Sequence, residues 1–252
     1  MTNSKAEIAQ IYQRRILEAA EALFAAEGFE RVTVDRIAKA ADVSKRTLYA
    51  YYPSKESIYH AIVLLGFIDL RDLLHEVLRD NSSDDFARTI ETVISAIYDA
   101  CCNNKFRMES ALRFSPPPST ISSYNYELSP EKSLPFSAEL PSPKVAAIFA
   151  VGYELEAQVA ELILRGQKAG QIRLGINPRT TGLVLWASLS TLINLAGDKA
   201  CYLASDFHLT QEEFCRQGMH LILEGVCISQ EDIGASSKSQ GHNSCHRAKG
   251  GS

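Results

Sequence analysis

Between Val32 and Lys55 the chain reads VTVDRIAKAADVSKRTLYAYYPSK, and this stretch gathers the residues best suited to an anionic polymer. Lys45 and Arg46 are adjacent cations; Thr47, Tyr49 and Tyr51 follow with hydroxyls and flat rings, and Lys55 closes the run. A guanidinium offers paired donors that match the major-groove edge of guanine, which assigns Arg46 to base reading. The Thr47 hydroxyl suits a base or a phosphate oxygen. Tyr49 and Tyr51 reach phosphates with their hydroxyls and thymine methyls with their rings. Thr33, Ser44 and Ser54 each stand where a helix would start, so backbone N–H groups there face anions, with the Lys55 charge beside the third.

The elements that must position these groups announce themselves by their starts. Val32-Thr33 precedes Ile37, Val43-Ser44 precedes Leu48, and Pro53-Ser54 precedes Ile58. Each start joins a hydroxyl N-cap to an apolar staple, which fixes the angle at which the chain enters the helix. Three such starts so close together predict short helices at set angles, a helix-turn-helix with Asp42 at the turn, followed by a long helix. On the second short helix Val43, Leu48 and Tyr52 face inward, against Ile37, Ala38 and the helix before. Lys45, Arg46, Thr47, Tyr49, Ala50 and Tyr51 are left pointing outward. That earlier helix spans about 8–27, with Ile16, Ala19, Ala20, Leu23 and Phe24 on one stripe. Gly28 ends it in the left-handed conformation, and Phe29 folds back onto its last turn.

The remaining periodic segments are helical as well: 54–79, 85–102, 105–113, 144–168 ended by Gly170, 178–203 opened by Asn177-Pro178, and 211–225 behind a Thr210–Glu213 capping box. No alternating strand is visible, so the fold class is all-α. Residues 115–143 hold most of the nine prolines and lose periodicity, which reads as a long flexible loop or lid. Residues 229–252 read as a disordered tail. The organisation is a helix-turn-helix head over 1–55 and a helical ligand-binding and dimerisation body over 56–228.

Composition bounds the function. With 252 residues, 46% hydrophobic and 22% charged, the chain is ordinary for a soluble protein of one or two domains. The net charge of −4 divides unevenly: residues 1–55 hold nine Lys/Arg against seven Asp/Glu, and the rest hold seventeen against twenty-three. A small basic reader on an acidic body fits that split. No apolar run approaches the ~20 residues of a membrane span, and MTNSKAEIAQ has no signal-peptide core, so the expectation is a cytoplasmic protein without a membrane partner. Cys201, Cys215 and Cys227 lie in apolar helical contexts and read as buried free thiols. His242, Cys245 and His246 sit in a Gly/Ser-rich tail that offers a metal no fixed geometry, so no metal is expected. Phosphate loop, zinc-protease helix and nucleophile elbow are all missing, which argues against an enzyme and against a cofactor.

The segment TVDRIAKAADVSKRTLYAYYPSKESI, after Phe24–Gly28, closely resembles the signature of TetR-family transcriptional regulators over about 14–63. Thr33, Ile37, Ala38, Val43, Ser44, Thr47, Leu48, Tyr49, Tyr51, Tyr52, Ser54, Lys55 and Glu56 match. Two positions depart, since the family often has glycine at Asp42 and again at Arg46. Asp42 tolerates a turn; Arg46 adds a cation at the base-facing end of the reading helix. The resemblance implies a homodimer whose last two long helices, here near 178–203 and 210–225, form a four-helix bundle. It also identifies RGQKAGQIR, residues 165–173, with the turn before them. By the same resemblance, the long helix from Ser54 transmits ligand binding to the head. Candidate effector lining on the first body helices is Ile94, Tyr98, Met108 and Leu112. Phe149, Tyr153, Trp186 and Leu189 follow on later ones. All serve equally as core, and together they favour an apolar or aromatic effector.

The function implied is a ligand-responsive repressor acting as a homodimer on a pseudo-palindromic double-stranded DNA operator. An activator on the same scaffold, or a helical protein-interaction module that touches no DNA, stays open. If Arg46 reads a base, Arg46→Ala will relax preference at one base pair of each half-site in a selection from random duplexes. An unchanged consensus would remove that role. Lys55→Ala is expected to weaken all sequences about equally.

Overall fold

Phe24, Gly28 and Phe29 set the first boundary as the sequence suggests. In a computed structural model, which describes residues 2–80, 85–114 and 143–227, α1 runs Thr2–Glu27 and Gly28 follows at φ 84°. The Gly28 N–H donates to the Phe24 carbonyl at 2.9 Å, and the Phe29 ring turns back to 5.2 Å from that of Phe24. The helix starts earlier than the expected residue 8. Its stripe begins only at Ile16, so the first turns carry no core residue and left no periodic signal.

The described residues form ten helices, with one isolated β-bridge and no strand. After α1 come α2 (Val34–Ala40), α3 (Lys45–Tyr51), α4 (Lys55–Asp80), α5 (Phe86–Asn103) and α6 (Lys105–Arg113). Then follow α7 (Pro143–Lys168), α8 (Pro178–Asp198), α9 (Ala200–Asp206) and α10 (Gln211–Glu224). The protein is all-α, as expected. The expected loop at 115–143, apart from Pro143, and the expected tail with His242, Cys245 and His246 lie outside the described residues.

Packing divides the chain into two compact units. The first comprises Met1–Val77 and Ser95–Leu155. Its core holds Ile16, Ala20, Phe24, Ile37, Leu48, Ile58 and Ile62, all buried, so α1 to α4 share one apolar centre. Helix α6 joins this centre through Phe106, whose ring lies 5.9 Å from Phe24. Arg107 then bonds Glu21 of α1 at 2.8 Å and Asp69 of α4 at 3.1 Å. A Cβ at Gly66 would lie 2.8 Å from both the Ala111 Cβ and the Arg107 carbonyl oxygen, so α4 and α6 approach at a distance only glycine permits.

The second unit comprises Leu78–Ile94 and Glu156–Ser252. RGQKAGQIR forms its buckle: Gln167 Nε2 donates to the Arg173 and Ile176 carbonyls, each at 3.0 Å, and Gln171 Oε1 accepts from the Phe86 N–H at 2.7 Å. Asn177 caps α8 through the Arg179 and Thr180 N–H groups, with Pro178 in the first turn. Thr210 and Glu213 close the expected reciprocal box on α10, which packs along α8.

Two expectations need correction. The helix foreseen over 178–203 breaks at Lys199, whose φ of −112° and ψ of 16° leave the helical region just past Gly197 and Asp198, weak helix formers. The second concerns the thiols. Cys215 is buried, but Cys201 is exposed and Cys227 only half-buried. The break re-aims Cys201 and Cys227 follows the end of α10, so neither keeps the apolar register its neighbours suggest. By length and composition alone α8 could cross a bilayer, although the sequence shows no unbroken apolar run there.

The left-handed backbone at Gly28 gives a direct check. Gly28→Ala should lower stability by about 1–2 kcal/mol in thermal or urea unfolding of the full chain. The added methyl meets nothing within 4 Å, so the loss would come from backbone strain alone.

Candidate nucleic-acid interface

The three hydroxyl caps are real and each closes one backbone donor. Thr33 Oγ1 accepts from the Arg36 N–H at 3.4 Å and Ser44 Oγ from the Thr47 N–H at 3.0 Å. Ser54 Oγ accepts from the Ser57 N–H at 3.1 Å, while the Ser54 N–H donates back to Ser57 Oγ at 3.2 Å. A third N–H of each first turn is thereby satisfied, and only the earliest remain to face an anion. The caps set where α2, α3 and α4 begin; the buried staples Val32, Leu48 and Ile58 set their directions.

At the turn, Asp42 adopts φ 52°, the left-handed region that an aspartate tolerates better than most residues. It does something glycine cannot. Arg15 on α1 reaches its carboxylate at 2.8 Å and its carbonyl at 3.3 Å, tying the turn to the first helix.

Helix α3 buries Leu48 and turns its other side to solvent. Lys45, Arg46, Tyr49 and Ala50 are exposed, with Tyr49 at 43%, while Thr47 and Tyr51 are half-buried. Ser44 Oγ and Thr47 Oγ1 lie 2.7 Å apart, so one hydroxyl proton is spent inside the pair and the other is left to donate outward. The Tyr51 ring sits 6.3 Å from that of Tyr12 on α1. Tyr52, closing the helix, is buried, and burial pushes its phenol up to about 12, so it stays neutral. Lys144, in the first turn of α7, lies over its ring at 5.0 Å from the centroid.

The cations singled out by sequence have different fates. Arg46 has no ion pair or hydrogen bond among the described residues. Lys45 is paired with Asp35 at 2.6 Å, and this hydrogen bond raises its pKa above the usual lysine value. Lys55 donates to the Phe29 carbonyl at 2.8 Å and sits 4.2 Å from the Phe29 ring centroid, clamping the start of α4 to the end of α1. Arg36, which periodicity did not single out, forms a two-pronged pair with Glu27. The glutamate is held below its usual range by that guanidinium. Tyr12, Arg15 and Asp35 also join the head unannounced, because their partners lie across a turn or on another helix.

The eight body residues are shared between the two units. Tyr98, Met108, Leu112, Phe149 and Tyr153 belong to the first unit; Ile94, Trp186 and Leu189 belong to the second. Ile94, Met108, Leu112 and Leu189 are buried, and the other four are partly exposed.

A capped two-helix turn with an exposed outer face on its second helix defines a helix-turn-helix head, and known proteins show the same. Residues 16–62 match the family described as bacterial regulatory proteins, tetR family. A Mycobacterium tuberculosis (strain ATCC 25618 / H37Rv) protein, named as a candidate mycofactocin biosynthesis transcriptional regulator, MftR, is 40% identical over 88 residues, 30% of this chain and 44% of MftR. IcaR of Staphylococcus aureus (strain Newman), named an HTH-type negative transcriptional regulator of the biofilm operon icaADBC, is 33% identical over 70 residues, 28% of this chain and 37% of IcaR. The chain thus matches less than half the length of these relatives. The fold extends further. The fatty acid degradation regulator FadR from Bacillus halodurans aligns with a TM-score of 0.60 at 16% identity, over 84% of this chain and 94% of that one. The head thus matches the tetR family over residues 16–62, and the fold of the chain is that of the solved regulators it resembles.

The clamp at Lys55 changes what its removal should do. Lys55→Met should lower the unfolding temperature and weaken binding to every duplex, while the slope of log K against log salt stays unchanged. A direct phosphate contact would instead make the slope shallower by about 0.9.

Proposed function

We propose that the chain is a sequence-specific DNA-binding transcriptional regulator, a ligand-responsive repressor that acts as a cytoplasmic homodimer on a pseudo-palindromic operator. One observation carries the reading. Arg46 stands exposed and unpaired among the described residues, on a helix whose inner face is locked by Leu48 and whose start is fixed by Ser44. A guanidinium so placed is free to offer both donors to a guanine edge. Ser44, Thr47, Tyr49 and Tyr51 supply hydroxyls beside it; Thr33 and Lys55 hold the neighbouring helices in place. Repression is favoured over activation by the name of IcaR, a negative regulator that shares the head.

The dimer is supported by the second unit. Leu183 is 59% exposed and Leu221 69%, with Val184 and Leu195 also open to solvent. Val184, Ala187, Thr191 and Leu195 form an outer stripe on α8 opposite the one that packs inward. A second copy covering this face would complete a four-helix layer and set two reading helices about one DNA turn, ~34–36 Å, apart. This same demand accounts for the apolar composition of α8 without a membrane.

An effector is supported by the aromatic and apolar residues of the body, Tyr98, Phe149, Tyr153 and Trp186 among them. Gln158 Oε1 and Ser190 Oγ are buried without a partner among the described residues. Buried acceptors of this kind favour a ligand that adds hydrogen-bond donors to its apolar surface.

Gel shifts across a salt series test the class: DNA binding should weaken steeply, by a log-log slope of about −0.9 per neutralised phosphate. A protein-interaction module would show little slope. The double variant V184E/L195E should sediment as a monomer and lose operator affinity about a hundredfold or more. If that variant remained dimeric, α8 would not be the interface.

A further inference from the structure

Asp35 and Lys45 face one another between the two short helices. Asp35 lies in the first turn of α2, where its carboxylate complements the positive end of the helix; Lys45 is the first residue of α3. Their charged atoms are 2.6 Å apart and both side chains are more than half exposed. Exposed pairs of this kind contribute little to stability. The pair therefore needs another account.

Three other head cations suggest one. Arg15 is held by Asp42, Arg36 by Glu27 and Lys55 by the Phe29 carbonyl. Arg46 alone among the cations of α3 stays unpaired among the described residues. In helix-turn-helix docking the first helix crosses the phosphate backbone while the second enters the major groove. The starts of α2 and α3 would then both approach phosphates. A free lysine there binds any phosphate, since an ammonium is a point charge that carries no sequence information. An acid that occupies it removes one contact from every complex alike. Because that loss is common to specific and non-specific complexes, it lowers every affinity and its salt dependence together and leaves their ratio to base reading.

We propose that Asp35 is a positioning residue that sets overall DNA affinity and its salt dependence: by holding Lys45 it withdraws one cation from the DNA backbone. The inference depends on the DNA-binding function proposed above. It assigns Asp35 no contact with DNA of its own. Asp35 acts only through Lys45, so removing the acid matters only while the lysine is present.

The test uses the full chain with two duplexes, one selected by the wild-type protein from a random pool and one of mixed sequence. Affinities are measured between about 50 and 200 mM salt for the wild type, D35N, K45M and D35N/K45M. D35N should bind both duplexes more tightly, steepen the log-log slope on each by about 0.9, and leave the selected-to-mixed ratio unchanged. Its advantage over the wild type should be about three- to fourfold larger at the low end of that range than at the high end. Compared with K45M, the double variant should show no such steepening. If D35N steepens the slope equally in both backgrounds, Asp35 is a bare repelling charge and the inference falls. It also falls if the slope stays unchanged while Lys45 is present. Thermal unfolding checks that α2 is intact, and D35S, which keeps a short polar side chain in that turn, supplies the same readout should D35N fold poorly. Failure of the wild type to bind any duplex with a salt-dependent affinity would overturn the DNA reading first, and this inference with it.

Discussion

A helix of seven residues has no independent stability in water, because the cost of nucleation is spread over too few hydrogen bonds. Helix α3, which carries Arg46, is one, and α2 is another. Everything the head does therefore depends on the packing of Leu48 against the centre built by Ile16, Ala20, Phe24, Ile37 and Ile58. That packing fixes the roll of α3, so its outer side chains leave from a defined face. Ser44 fixes its start and Asp42 its approach. A longer helix could read DNA with looser support; this one needs a complete apolar centre behind a single leucine.

The electrostatics follow the same economy. Counting Lys and Arg in residues 1–55 gives a basic head, yet four of those nine charges are committed inside it. Arg15, Arg36, Lys45 and Lys55 each bind an oxygen of their own fold. They serve as fasteners between elements too short to hold themselves. The sum of charges thus overstates what a polyanion would meet, and the position of the Arg46 guanidinium matters more than the total.

The local devices of the head were legible because their grammar is local. N-caps, staples, the Gly28 terminus and the Asp42 turn each involve residues within a few positions, so spacing alone reveals them. The partners of Lys55 and Arg107 were not legible. Lys55 meets a carbonyl 26 residues away, and Arg107 meets Glu21 across 86 residues. Nothing in periodicity says which distant oxygen a lysine will find. The break at Lys199 escaped for a different reason: the apolar pattern of 178–203 continues through it, and a change of helix direction leaves the composition untouched. In the body, apolar richness raised the expectation that α8 is covered on more than one side, while only the structure sorted Leu185, Leu189 and Ile193 inward from Val184 and Leu195 outward.

Within the first unit, the Arg107 contacts place a mechanical condition on the head. Its guanidinium is mostly buried and joins Glu21 of α1 to Asp69 of α4 from a position on α6. A buried ion pair is expensive to break by halves, since the remaining charge is left where water reaches it poorly. Gly66 adds a steric condition, because α4 cannot slide along α6 without meeting Ala111 or the Arg107 carbonyl. Helix α1 therefore cannot turn alone against α4. Either α6 moves with it, or an ion pair opens, and any ligand that displaced α6 would act on the reading helix through Phe106, Phe24 and the centre that holds Leu48.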